Sequence, residues 1–127
     1  MARAQRQTPD TGARFVPVAD AEALEQLFVA SAAGPVILFK HDPYCPVSEY
    51  AYQEMQTVPG EIALIDVARQ HAISREIATR LGVTHESPQV IVVRGGKPVY
   101  DASHEAISEA AVQRAVAITS DGAATEE

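Results

Sequence analysis

The sequence predicts an α/β domain with a central mixed sheet and helices on both of its faces. Three short apolar runs, at 36–39, 62–65 and 90–93, lack polar alternation, which is typical of strands buried on both sides. Segments with the apolar spacing of helices separate these runs. A turn sequence at 94–97 follows the third run and predicts a hairpin with antiparallel strands. The predicted order of elements is β-α-β-α-β-α-β-β-α.

The first half of the chain supplies two strands and a helix. Arg14–Val18 is apolar enough for a short strand. Asp20 is a favourable N-cap, and the apolar spacing after it predicts a helix over Ala21–Ala32. The run Val36–Phe39 then predicts a buried strand, which ends at the polar residues that follow it.

The second half repeats this alternation and ends on a helix. The run Ile62–Ile65 predicts a strand, and Ser74 is a candidate cap for a short helix that Gly82 would end. The third apolar run predicts the first strand of the hairpin, and Pro98–Tyr100 after the turn predicts the second. Ser108 is a candidate cap for a last helix reaching about Thr119.

Length and composition fit one small domain. The 127 residues divide into a domain at 14–119 and polar segments at 1–13 and 120–127, which we expect to be flexible tails. The net charge of −7 without a basic cluster argues against a nucleic-acid partner. The sequence shows no apolar signal segment and no run near the ~20 residues that span a bilayer. A single cysteine excludes an intramolecular disulfide, so we expect a cytoplasmic protein without a membrane partner.

The most informative stretch is FKHDPYCPVS at 39–48, which holds this cysteine. Pro46 suits the first position of a helix, so Cys45 is predicted to be the N-cap of a helix running to about Met55. Free N–H groups and the helix dipole stabilise a thiolate at this place. Ser48 stands where a C-x-x-C motif carries its second thiol; its hydroxyl can hydrogen-bond to a thiolate but cannot form a disulfide. The residues alone leave open a buried, unreactive cysteine.

Several neighbours of the motif have two interpretations. Lys40 and His41 are candidates for attracting an anionic substrate, or are solvated residues at a strand end. Tyr44 is a candidate rim residue for substrate. His85 and Glu86 either flank the site or belong to a loop without a catalytic task.

The cysteine at the start of the helix after the second strand resembles the thioredoxin fold. A second stretch, GVTHESPQV at 82–90, places Pro88 directly before an apolar strand. Together with Cys45-Pro46-Val47-Ser48 after Phe39-Lys40-His41, it resembles the monothiol bacilliredoxin family over about Arg14 to Val116.

This resemblance implies roles for individual residues. Cys45 would be the nucleophile and Ser48 the position that cannot resolve a disulfide. Ser87 and Pro88 would form a loop facing the substrate, with Pro88 in the cis conformation. Tyr44 departs from the smaller or basic residues expected before the cysteine, so help from an adjacent arginine is not expected here.

The resemblance also implies a reaction. A monothiol bacilliredoxin removes bacillithiol from mixed disulfides with client proteins, using bacillithiol as a thiol co-substrate and no metal or organic cofactor. Bacillithiol carries a sugar and a malate group with two carboxylates. Two other functions remain open: a redox sensor that binds a thiol without turnover, and an iron–sulfur carrier like the monothiol glutaredoxins.

Overall fold

A five-stranded mixed sheet forms the centre of the computed structural model, which describes residues 12–120. The strand order is β1-β3-β2-β4-β5. Strands β1, β2 and β3 are parallel to one another, β4 is antiparallel to β2, and β5 is antiparallel to β4. The strands are β1 (Ala13–Pro17), β2 (Val36–His41), β3 (Gly60–Asp66), β4 (Gln89–Arg94) and β5 (Lys97–Ser103).

Helices cover both faces of the sheet. They are α1 (Ala21–Ala30), α2 (Pro46–Met55), α3 (His71–Leu81) and α4 (Glu109–Ser120), with a 3-10 turn at His104–Ala106 before α4. The order of elements and the mixed sheet predicted from the sequence are confirmed. Within residues 12–120, no helix is long and apolar enough to cross a bilayer.

Successive residues of β2 contribute to two separate cores because side chains alternate across a strand. Ile37 and Phe39 pack with α2 and α4 on one face of the sheet. Leu38 packs with α1 and α3 on the other face. The central strands are buried on both faces, which explains why their sequences show apolar runs and no alternation.

The sequence predicts four helix ends from a single capping or terminating residue each. Three of these predictions are confirmed. Asp20 Oδ1 accepts the N–H of Ala23 at 2.9 Å, and Ser108 Oγ accepts that of Ala111 at 3.2 Å. Gly82 ends α3 in the left-handed conformation, with φ of 68°. The prediction for Ser74 is wrong, since α3 begins one turn earlier at His71 and Ser74 is buried inside the helix.

Other boundaries differ by a few residues from those expected. The helix predicted over Ala21–Ala32 ends at Ala30. Strand β1 already begins at Ala13, and α4 extends to Ser120, so both elements reach one residue into the predicted tails. Of the predicted tails, residues 1–11 and 121–127 lie outside the described residues.

Candidate active site

Cys45 lies at the carboxyl end of the parallel strands, where it begins α2. It is the N-cap, with extended backbone dihedrals of −114° and 123°, and Pro46 follows in the first turn, as predicted. Its carbonyl accepts the N–H of Glu49 at 3.0 Å. The thiol makes no capping hydrogen bond, and the residue is partly exposed. The partial exposure rules out a fully buried structural cysteine, and the reactivity of the sulfur stays a prediction.

Asp42 organises the loop that carries Cys45. Its carbonyl accepts the N–H of Cys45 at 3.1 Å, and its Oδ1 accepts the N–H of Tyr44 at 2.9 Å. Its own N–H donates to Ser48 Oγ at 2.8 Å. These three hydrogen bonds tie the loop to the first turn of α2 and fix the backbone around the cysteine.

Ser48 is buried and bonds to the end of β2. Besides the N–H of Asp42, its Oγ contacts His41 Nδ1 at 2.8 Å. The His41 ring stacks on Tyr52 and Phe39, with ring centroids 4.9 and 5.6 Å away. As placed, the hydroxyl bonds to these groups and not to the thiol, so its support of a thiolate stays a prediction.

Burial keeps His41 neutral. Desolvation lowers the pKa of His41 below its ordinary 6.5, although the carboxylates of Glu49 and Asp66 raise it. A neutral ring satisfies the contact with Ser48 by donating or accepting through Nδ1, according to its tautomer. His41 thus acts as part of the packing beneath α2.

Lys40 is the largest departure from expectation. Its side chain is 0% exposed, and its Nζ donates to Gln89 Oε1 at 2.8 Å. Burial lowers the pKa of Lys40 to about 8, partly opposed by the charge of Glu86. The interpretation of Lys40 and His41 as solvated strand-end residues is wrong, because adjacent strands and helices enclose both. Their contact with substrate stays a prediction, and neither presents a charge to solvent.

The lowered pKa of Lys40 predicts a rise in stability at alkaline pH. Between pH 8 and 10.5 this amine is neutral in the folded protein and charged in the unfolded chain. The unfolded state then binds more protons, so the free energy of unfolding increases with pH, by on the order of 2–3 kcal/mol across the window. Urea unfolding of the wild type and Lys40→Met at several pH values measures this. The difference between the two proteins should change with pH.

Solvent-exposed Lys97 on β5 provides the matched control for this measurement. Lys97→Met should follow the wild-type pH dependence, because its amine is hydrated in both states. Equal slopes for the wild type and Lys40→Met would contradict a desolvated Lys40 amine.

The loop before β4 lies at the same edge of the sheet as Cys45. Strands β2 and β3 end there, and β4 begins there, since Lys40 pairs with Gln89 and His41 with Asp66. The Ser87–Pro88 peptide bond is cis, which confirms the conformation implied by the resemblance. Pro88 is buried and its carbonyl accepts the N–H of His104 at 3.1 Å.

Tyr44 forms part of the rim of the site. It is 77% exposed, and Tyr50 on α2 is also exposed. Both rings are therefore accessible beside the cysteine loop, as expected for Tyr44. Contact with substrate itself stays a prediction for Tyr44, Ser87 and Pro88.

A cleft of about 380 Å³ opens at this edge, between the cysteine loop, α3 and the cis-proline loop. We call it the α3 cleft; its lining residues are Asp42, Val67, His71, Ser74, Arg75, His85 and Ser87. No motif in the sequence singles out His71 or Arg75 as site residues. The early start of α3 brings both residues to the cleft, and no motif in the sequence signals that start.

The described residues contain no group of three or more histidine, cysteine or acidic side chains that could hold a metal ion. The expectation that the reaction needs no metal or organic cofactor stays a prediction.

Comparison with solved structures shows the fold. One, named "A putative oxidoreductase with a thioredoxin fold", has a TM-score of 0.72 and 24% identity, covering 80% of this chain and 92% of its own. A mutant thioredoxin from Halobacterium salinarum NRC-1 has a TM-score of 0.66 and 16% identity, covering 88% and 93%. A thioredoxin from Fasciola hepatica has a TM-score of 0.63 and 15% identity, covering 81% and 97%. The protein therefore has the thioredoxin fold that its motifs implied.

The family is shown by a sequence match. The model of the monothiol bacilliredoxin BrxC family matches residues 16–112, which include Cys45, Ser48 and the cis-proline loop. With the thioredoxin fold, this match supports a thiol redox function for the site at the start of α2. The chain belongs to the monothiol bacilliredoxin BrxC family.

Proposed function

We propose that this protein removes bacillithiol from mixed disulfides with client proteins, using Cys45 as its single nucleophile. The observation that carries this proposal is the placement of the only cysteine, partly exposed and without a capping hydrogen bond, at the start of α2. The backbone N–H groups there are not satisfied by the cysteine side chain. They are available to stabilise negative charge on sulfur.

The reaction is a pair of thiol–disulfide exchanges. The Cys45 thiolate attacks the bacillithiol sulfur of the mixed disulfide, forming a Cys45–bacillithiol disulfide as the bond to the client sulfur breaks. The client leaves as a thiolate and takes a proton from water. A second bacillithiol thiolate then attacks the bacillithiol sulfur on Cys45, which releases the Cys45 thiolate and oxidised bacillithiol. One disulfide is consumed and one is formed, so the electrons balance.

The second exchange requires an external thiol because Ser48 stands where a resolving cysteine would. Its hydroxyl cannot form a disulfide, and no other cysteine exists in the chain. The buried contacts of Ser48 with His41 and Asp42 give it a structural task instead. The proposed co-substrate is therefore the free small thiol, the proposed partners are bacillithiol-modified proteins, and the proposed compartment is the reducing cytoplasm.

Turnover is the test that separates this enzyme from a redox sensor. With a bacillithiol-modified client and excess bacillithiol, we expect many equivalents of reduced client per protein. Without free bacillithiol, release should stop near one equivalent, and the protein mass should increase by one bacillithiol. A sensor would stop near one equivalent under both conditions.

The same client carrying glutathione in place of bacillithiol provides the comparison for thiol specificity. We expect slower release from the glutathione form, because its extended tripeptide differs in shape, and in the placement of its carboxylates, from a sugar bearing a malate. Equal rates would indicate a general monothiol exchanger and would contradict the bacillithiol assignment.

A further inference from the structure

We infer that the α3 cleft binds the carboxylate-bearing part of the small thiol that exchanges with Cys45. This inference rests on the proposed function and names the region that recognises its co-substrate. Its basis is a cleft that adjoins the cysteine loop and that, within residues 12–120, contains two hydroxyls without a hydrogen-bond partner and an arginine outside every ion pair.

The cleft lies beside the loop that carries Cys45. Asp42 lines the cleft, and its carbonyl holds the N–H of Cys45 at 3.1 Å. Ser87, which precedes the cis proline, also lines the cleft. Ligands of α/β sheets bind at this edge, outside the carboxyl ends of parallel strands. A volume of about 380 Å³ is sufficient for part of a small molecule attached to the cysteine.

Two buried hydroxyls in the cleft wall have no hydrogen-bond partner among residues 12–120. They are Ser74 Oγ, on a residue only 4% exposed, and Ser87 Oγ. A buried hydroxyl without a partner costs about 1–3 kcal/mol, so its presence needs an explanation. Because no hydrogen bond holds either hydroxyl, rotation about Cα–Cβ can turn it toward a ligand at no loss of an existing bond. Both can then donate to a carboxylate oxygen.

The charges around the cleft favour an anion. Exposed Arg75 takes part in none of the ion pairs found in the described part of the chain. His71 and His85 are also exposed at the cleft. The carboxylate of Asp42 is the acidic group of the lining, and its Oδ1 is turned to the N–H of Tyr44.

Further charges lie behind the cleft wall. Partial desolvation by the surrounding protein, and then the charge of Lys40, lower the pKa of His85, while the charge of Glu86 raises it. His85 is thus a neutral donor or acceptor at neutral pH, and Arg75 supplies the positive charge. In a chain of net charge −7, such a site provides local attraction that the protein as a whole does not.

The test compares exchange of Cys45 with an anionic and a neutral disulfide. Oxidised bacillithiol carries carboxylates, whereas bis(2-hydroxyethyl) disulfide carries no charge. We expect Arg75→Ala to slow the reaction with oxidised bacillithiol about three- to fivefold at low salt, as for one exposed ion pair. High salt should reduce this difference. The rate with the neutral disulfide should be unchanged.

Arg114→Ala is the matched control. Arg114 is exposed on α4, which packs on the opposite face of the sheet from α3, so this variant removes the same charge away from the cleft. It should leave both rates at the wild-type value. Ser74→Ala should slow only the anionic reaction, about twofold, while circular dichroism shows an intact fold. Equal effects of Arg75→Ala and Arg114→Ala, or equal slowing with both disulfides, would overturn the inference.

A further pair of substrates identifies the source of the carboxylate. One client protein is prepared with bacillithiol and with cationic cysteamine on its cysteine. Arg75→Ala should slow exchange only with the bacillithiol form; slowing of both forms would assign the cleft to the client and overturn the inference. The two small disulfides react with Cys45 in one step and without a client. Their rates therefore test the cleft independently of client turnover. If the wild type turns over client and Arg75→Ala leaves every exchange rate unchanged, the proposed function stands and the role of the cleft is overturned.

Discussion

Replacing Cys45 with serine is expected to abolish release of reduced client while keeping or raising thermal stability. The hydroxyl of serine is not ionised near neutral pH, so it cannot attack a disulfide. Serine is also a favoured N-cap, whereas the Cys45 side chain makes no capping bond. The new hydroxyl can accept a backbone N–H of the first turn of α2 and add about 0.5–2 kcal/mol of stability. Client release and thermal unfolding of Cys45→Ser measure the two effects.

Opposite effects on activity and stability make this substitution informative. Cys45→Ala removes the thiol without adding a cap, so it should be equally inactive without the gain in stability. Since Cys45 is the only cysteine, no other thiol of the chain can sustain exchange in either variant. Retention of a tenth of the wild-type rate by Cys45→Ser would contradict the assignment of the nucleophile. A loss of activity accompanied by unfolding would contradict the capping argument.

The fold was predictable because its signals are local. Apolar runs without polar alternation predict strands that are buried on both faces. The segments between them have the apolar spacing of helices, which predicts the helices that cover the sheet. Asp20, Gly82 and Ser108 act at helix ends within a few residues of their own position. The start of α2 was equally clear, because Pro46 suits the first position of a helix and makes Cys45 its N-cap.

The surroundings of the cysteine were less predictable because they depend on contacts between distant segments. The sequence places Lys40 at the polar end of a strand, yet its amine is enclosed and bonds to Gln89, 49 residues further along the chain. His41 is buried by stacking on Tyr52 of the following helix. Ser74 resembles a cap in sequence but lies inside α3, so the cleft that contains Arg75 was missed. Tertiary packing decides which polar side chains are buried, and the sequence around a single residue does not show that packing.

The position of Ser48 leads to the second large effect. Cys45 and Ser48 are three residues apart, at the cap and in the first turn of α2. Residues three apart at the start of a helix lie on the same side of it, and a C-x-x-C pair at this spacing is the usual redox dithiol. Ser48→Cys should therefore convert the monothiol site into a dithiol site. The second thiol would attack Cys45 of the bacillithiol adduct and release bacillithiol as a free thiol.

The expected result is that Ser48→Cys releases bacillithiol from its own adduct without any added thiol, whereas the wild-type adduct persists. The substitution also weakens the contacts of the hydroxyl with His41 and with the N–H of Asp42, at about 1–3 kcal/mol for a buried donor left unpaired. Ser48→Ala is the matched control, since it loses the same bonds and gains no thiol; its adduct should persist. Mass spectrometry after one round of client reduction distinguishes the internal disulfide from the adduct. An adduct that persists as long on Ser48→Cys as on Ser48→Ala would show that a thiol at position 48 cannot reach the sulfur of Cys45. The lack of a second cysteine at position 48 would then not explain why the reaction needs an external thiol.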